Sequence, residues 1–170
     1  MTRDDAERLL DCCWGPRARR SEIAHYVLAT RFSARNRRLS YAAVVIGVVT
    51  GSGLFATLSK HNEKLQLGLA ISSLVAAAIV AYQRSAQYAA RSVEHQRSGA
   101  DWGVIVNETE ELRKQIGSRD PKDAEFDRLR KEMDAVTKRS PQIPQWCFDK
   151  LKIGETYMYA VGDRLCTDQP

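Results

Sequence analysis

The spacing of apolar and polar positions sets one part of the chain apart. Positions 39–59 (LSYAAVVIGVVTGSGLFATLS) and 65–83 (LQLGLAISSLVAAAIVAYQ) contain no Asp, Glu, Lys, Arg or His. As helices these runs would be about 31 Å and about 28 Å long at a rise of about 1.5 Å per residue. The hydrocarbon core of a bilayer is about 30 Å thick. Backbone polar groups in lipid must be satisfied by a helix or a closed barrel, and these runs are too long for barrel strands. The pattern predicts two transmembrane helices, about 39–59 and 65–83, joined by the loop 60–64.

The flanks follow a helical period with charged faces. Residues 4–13 predict a short helix broken at Gly15-Pro16. A second helix begins near Ser21 and runs into the first span, with the stripe Ile23, Tyr26, Val27, Thr30 and Ala34. After the second span, 84–116 is helix-like. There Trp102, Ile105, Thr109, Leu112 and Ile116 step by three and four like a coiled-coil seam. Tyr88, Arg91, His95 and Ser98 continue that register, and Gly99 and Gly103 are candidate kinks. Residues 117–121 read as a turn. A helix over 122–138 then carries Phe126, Leu129, Met133 and Val136 on one face and folds back as an antiparallel hairpin. Pro141-Gln142-Ile143-Pro144 is a break, followed by an apolar patch at Trp146, Phe148 and Leu151. Tyr157, Tyr159 and Val161 alternate like a short strand. The expected fold is all-α: a membrane protein with a two-helix transmembrane hairpin and cytoplasmic helices before and after it. Its parts are N-terminal amphipathic helices (1–38), the hairpin (39–83), a cytoplasmic helical hairpin (84–140) and a tail (141–170).

Composition sharpens this. Charged residues make up 28% of the 170, so two adjacent charge-free runs are not chance. A soluble protein with a buried helical hairpin would have to wrap about 40 apolar residues in strongly charged flanks. A cleaved signal peptide is disfavoured because the first apolar run starts only at Leu39. Arg31, Arg35, Arg37 and Arg38 precede the first span, and Arg84, Arg91 and Arg97 follow the second. The loop has only Lys60 and Lys64. The positive-inside rule then puts both termini in the cytoplasm and the connecting loop outside. Tyr41 and Tyr82 would sit at the cytoplasmic interface. The net charge of +5 is largely juxtamembrane Arg, suited to anionic headgroups, and no nucleic-acid partner is expected.

Residues 51–56 match G-x-G-x-x-A after the run Val44 to Val49, the opening of a dinucleotide-binding unit. The rest of that unit is missing. The following helix would be too short for a crossover, the next apolar run is too long and Ala-rich for one strand, and no acid is placed to hold a ribose. Within a membrane span the same glycines have another use. Ala43, Gly47 and Gly51 share one face, as do Gly68, Ser72 and Ala76, and small residues let membrane helices approach closely. These are the candidate packing positions. Thr50, Ser52, Ser72 and Ser73 lie within about 5 Å of the midplane. They are either interhelical hydrogen-bond partners or candidate pore-facing residues in an oligomer, because one hairpin encloses no hole. No charged residue lies inside either span, which argues against a proton pump or charge-coupled transporter.

Catalytic, cofactor and metal candidates are lacking. His25, His61 and His95 are far apart, and no H-E-x-x-H or C-x-x-C occurs. Cys12, Cys13, Cys147 and Cys166 are expected to be reduced thiols in a cytoplasmic setting. His95 reads as a packing histidine on its seam, and Glu108, Glu110 and Glu111 as a solvated face. No enzyme activity is expected.

The order of elements resembles one family. An N-terminal helix (Trp14-Gly15-Pro16-Arg17, His25-Tyr26, Ala34-Arg35) precedes two close spans. A helix with Ala90, His95, Trp102 and Glu108-Thr109-Glu110 follows, then a second helix and Ser140-Pro141-Gln142-Ile143-Pro144. Over roughly residues 13–147 this resembles the SLATT family, the SMODS- and SLOG-associating two-transmembrane effector domains. The resemblance implies a membrane-perturbing or pore-forming effector of a prokaryotic, anti-phage conflict system, triggered by a partner that makes or senses a nucleotide signal. A homo-oligomer is implied if a pore forms. Two other readings remain open: a membrane-anchored scaffold that recruits a cytoplasmic partner, and a holin-like protein.

Overall fold

The computed structural model describes residues 2–57, 63–116 and 122–154. Every regular element among them is helical: α1 (Arg3–Arg8), a π-helical turn (Leu9–Trp14), α2 (Gly15–Thr57), α3 (Glu63–Ala86), α4 (Tyr88–Ile116), α5 (Asp123–Arg139) and α6 (Gln145–Gly154). The expected turn at 117–121, the alternating segment at Tyr157, Tyr159 and Val161, and positions 60–62 of the expected loop lie outside the described residues.

The helices start and stop for local reasons. Thr2 caps α1: its hydroxyl accepts from the Asp5 amide, and the Asp5 carboxylate accepts from the Thr2 amide. The break expected at Gly15-Pro16 does not occur. In an α-helix the Pro16 ring would strike the carbonyl four residues back. The π turn widens the helix just before it, and the Gly15 amide donates to the Leu10 carbonyl, five residues back. A β-carbon at Gly15 would lie 2.8 Å from that same oxygen, so the turn requires glycine. The helix expected from residue 84 is instead interrupted at Gln87, whose φ of 49° is left-handed. The expected kinks at Gly99 and Gly103 are absent, since α4 is continuous through both. Gly99 serves a close approach, because a β-carbon there would lie 3.2 Å from the Tyr26 ring.

The chain forms two compact units, Met1–Ala29 with Val93–Pro170, and Thr30–Ser92.

In the first unit, α2 and α4 run antiparallel. His25 meets His95, Arg19 pairs with Glu110, and Asp11 pairs with Arg113. The fold-back of α5 on α4 is also antiparallel, with Arg128–Glu108 and Arg139–Asp101 ion pairs in reversed order. Trp102, Ile105, Leu112 and Ile116 of α4 join Phe126, Leu129, Met133 and Val136 of α5, together with Ala6, Leu10 and Ala18, in one apolar core. The stripe expected on the N-terminal helix is not the buried one. Tyr26, Val27 and Thr30 are exposed, and Ala24, His25, Leu28 and Ala29 are buried instead. His25 meets His95 of α4 and the Ala24 carbonyl meets Cys147 of α6, so the face turned to those helices is the one that is covered. The patch at Trp146 and Phe148 is part of α6, where the Cys147 thiol donates to the Ala24 carbonyl at 3.8 Å.

In the second unit, α2 and α3 form an antiparallel pair. Asn36 and Ser40 meet Gln83 at one end, and Thr50 meets Ser72 further along. The seam is half-buried at Asn36, Leu39, Ser40, Ala43 and Ile46 on α2 and buried at Thr50. On α3 it runs through Leu69, Ser72, Ala76, Ile79 and Gln83. Spacings of three and four are those of coiled-coil-like packing.

Candidate membrane hairpin and its polar seam

Off the hairpin seam, the described surface of the two charge-free runs is mostly apolar and uncovered. Val44, Val45, Val48 and Val49 on α2 are each more than 60% exposed, and Leu67, Ile71 and Leu74 on α3 are comparably bare, Leu74 at 72%. A soluble monomer does not leave so much contiguous aliphatic surface in water. Among the described residues one helical run, Gln66–Ile116, contains an 18-residue window long and apolar enough to cross a bilayer, and only 6% of that window is buried. A buried core helix of a soluble protein would be mostly covered. The second expected span does not meet the same test among the described residues; the run 39–59 extends to positions outside them.

The hydroxyls expected near the midplane are all satisfied within the hairpin. The Ser72 hydroxyl donates to the Leu69 carbonyl at 2.9 Å, so Thr50 is the donor in its 2.8 Å bond to Ser72. This bond crosses between α2 and α3. Ser52 and Ser73 lie outside the seam and donate back to the carbonyls four residues earlier, Val48 and Leu69, each at 2.9 Å. That habit lets a hydroxyl sit in an apolar medium without water. Thr50 and Ser72 therefore come together, while Ser52 and Ser73 remain on the outer surface.

The small residues divide in the same way. Ala43 and Ala76 lie on the seam. Gly47, Gly51 and Gly68 have no atom within 4 Å of where a β-carbon would stand, so the space beside them is open. Gly51-Ser52-Gly53 lies inside α2 and forms no strand-to-helix loop, which removes the dinucleotide-binding reading.

The seam contains a polar group that sequence spacing did not single out. The Gln83 amide donates to Asn36 Oδ1 and to Ser40 Oγ, each at 2.7 Å. The signal was present, because Gln83 follows Ser72 and Ala76 in the same register. The Tyr82 and Tyr88 hydroxyls are 2.9 Å apart, and Tyr88 stacks on Phe32 with ring centroids 6.1 Å apart. Arg31, Arg35, Arg37, Arg38, Arg84 and Arg91 are all exposed. Because the two helices are antiparallel, these cations gather at one end of the hairpin, with exposed Tyr41 and Tyr82 beside them. Arginine and tyrosine are residue types enriched where membrane helices meet water.

In the other unit, His25 and His95 face each other, one Nδ1–H donating to the other Nδ1 at 2.9 Å. Burial, and then the neighbouring His95, push the His25 pKa down to about 4. Glu108 is shifted the opposite way, upward, chiefly by its hydrogen bond to Glu132 and then by burial. Among the described residues Cys13 and Cys147 are free thiols, Cys13 exposed and Cys147 buried; Cys166 lies outside the described residues. Among the described residues no three His, Cys, Asp or Glu side chains converge as metal ligands.

Described residues that are helical throughout their regular elements, with a bare apolar helix pair edged by arginine, define a class, the membrane-associated helical proteins. Within that class, residues 17–152 match the family described as "SMODS and SLOG-associating 2TM effector domain family 4", and the chain belongs to it. No curated protein and no solved structure matches the chain.

Proposed function

We propose that this membrane effector oligomerises in the prokaryotic inner membrane and permeabilises it when a nucleotide-synthesising or nucleotide-sensing partner signals. Both termini lie in the cytoplasm, and no catalytic step is involved. The observation that carries the reading is the uncovered aliphatic surface of α2 and α3, which needs lipid or further copies of itself for cover. Family membership supplies the effector role and, through its description, the association with SMODS and SLOG proteins. In an oligomer, Ser52 and Ser73 are the hydroxyls available to face a lumen. Gly47, Gly51 and Gly68 offer open small-residue surface for close helix contact between copies. Thr50 and Ser72 hold the hairpin itself.

Dye release from liposomes carrying the inserted full-length chain, with and without the partner, tests this. Release that depends on the partner and on protein density supports it, and intact vesicles under every trigger overturn it.

One observation favours a second reading, a membrane-anchored scaffold. Every midplane hydroxyl already has a protein acceptor, so none requires water. Replacing 39–83 with an unrelated hairpin separates the two, since a scaffold keeps its activity and a pore loses it.

A further inference from the structure

The unit formed by Met1–Ala29 and Val93–Pro170 contains a cleft of about 750 Å³. Its walls come from three places: the π turn and the start of α2, Trp102 of α4, and the segment from Thr137 on α5 to Phe148 on α6. This volume is in the range of small-molecule sites. Three features of the lining define what it would accept.

The first is charge. Arg17 and Arg20 line the cleft, and none of the fifteen described residues that line it is Asp or Glu. Arg17 is exposed and makes no ion pair among the described residues. The Arg20 guanidinium lies 4.9 Å from the centre of the Phe148 ring, which fixes it at the wall. The second is unused donors. Trp102 is 3% exposed, and its indole nitrogen, buried, has no hydrogen-bond partner. The Ser140 hydroxyl is in the same condition. Buried polar atoms are almost always partnered, and two orphans among the lining residues of one cleft point to a missing acceptor. The third is a dipole. Gln145, the first residue of the ten-residue α6, is a lining residue, so a helix N-terminus opens onto the cleft.

We propose that this cleft binds a phosphate monoester. Two guanidinium groups match a dianion, and the indole N–H and serine O–H supply neutral donors to its remaining oxygens. Pro16, Pro141, Ile143 and Phe148 provide apolar wall for the organic body. The occupant would bridge α2, α4 and the α5–α6 segment, so binding tightens this unit. The site does not depend on permeabilisation, and no flux measurement enters its test.

The test uses the full chain in zwitterionic nanodiscs, titrated by calorimetry and thermal shift. One arm uses AMP and the other a short-chain phosphatidic acid. The expected result is saturable binding with a rise in melting temperature, weakened at least tenfold in Arg17→Gln/Arg20→Gln. Ser140→Ala, a milder change, weakens it severalfold, and unchanged helicity by circular dichroism shows that both variants fold. Binding of AMP alone identifies a soluble phosphate ester as the occupant, and binding of the phosphatidic acid alone identifies a lipid headgroup. Both results support the site. No binding in either arm, or binding that survives loss of both arginines, overturns it. Intact liposomes in the leakage assay would leave this result standing, and failure here would leave the leakage result standing.

Discussion

In the unit of Met1–Ala29 and Val93–Pro170, Trp102, Ile105, Leu129 and Met133 face a shared core, and arginine–carboxylate pairs decorate the outside. In Thr30–Ser92 the order is reversed. Val44, Val48 and Leu74 face outward, and Asn36, Ser40, Thr50, Ser72 and Gln83 face the seam. Both units pack antiparallel helices at spacings of three and four. The difference is the solvent each surface suits. Water rewards the burial of aliphatic groups. Lipid does not, so packing and interhelical hydrogen bonds hold membrane helices together. One helical period therefore encodes two opposite surfaces, depending on which residue types occupy the seam.

The largest effect should come from putting one charge on each surface. Val48→Lys or Leu74→Lys should cost about 3 kcal/mol of membrane insertion and move the protein out of the carbonate-resistant membrane fraction. Val104→Lys is also an exposed apolar site, but on α4 of the other unit, and should change neither membrane fraction nor stability by more than about 0.5 kcal/mol. Equal behaviour of the two would erase the contrast. Next come truncations. Ile105→Ala or Leu129→Ala removes side chains from the core and should destabilise that unit by about 2–5 kcal/mol, read as a lower thermal midpoint. Leu74→Ala opens no cavity and should leave the midpoint nearly unchanged.

A smaller effect is set by pH. The His25 pKa is depressed to about 4 in the fold against an ordinary value of 6.5, so the unfolded chain takes up the proton first. Its contribution is complete above about pH 6.5 and is lost as pH falls toward 4, to a total of roughly 3 kcal/mol at most. Glu108, shifted upward by Glu132, acts in the opposite sense and favours the fold on the acid side. Chemical denaturation between pH 7 and 4.5 should show stability falling for the native chain, with a flatter profile for His25→Gln. The smallest effect belongs to the seam. Thr50→Val deletes the interhelical bond to Ser72 and should cost about 1 kcal/mol, seen as easier separation of the hairpin in denaturing detergent.

Much of this was legible in the chain. The charge-free runs, the α4 register and the face of Phe126, Leu129, Met133 and Val136 follow from spacing alone, because each depends on residues a few positions apart. The N-terminal half was read less well. Gly15-Pro16 signals a break in any single-sequence reading, and only the Leu10 carbonyl shows that a π turn absorbs it. Exposure of Tyr26 and Val27 was equally hidden, since the face α2 buries is chosen by α4, some 70 residues away.

Local propensity and period were enough to read the helical character of the described residues, the two segments that avoid charge, and which residues share a helix face. Which face is covered, and by what, was set by the packing of distant helices. It paired His25 with His95 and Gln83 with Asn36, and it left Gly47, Gly51 and Gly68 open. It also gathered Arg17, Arg20, Trp102 and Ser140 around one cleft. Those choices join residues about 50 to 120 positions apart, and no local pattern carries the distance between them.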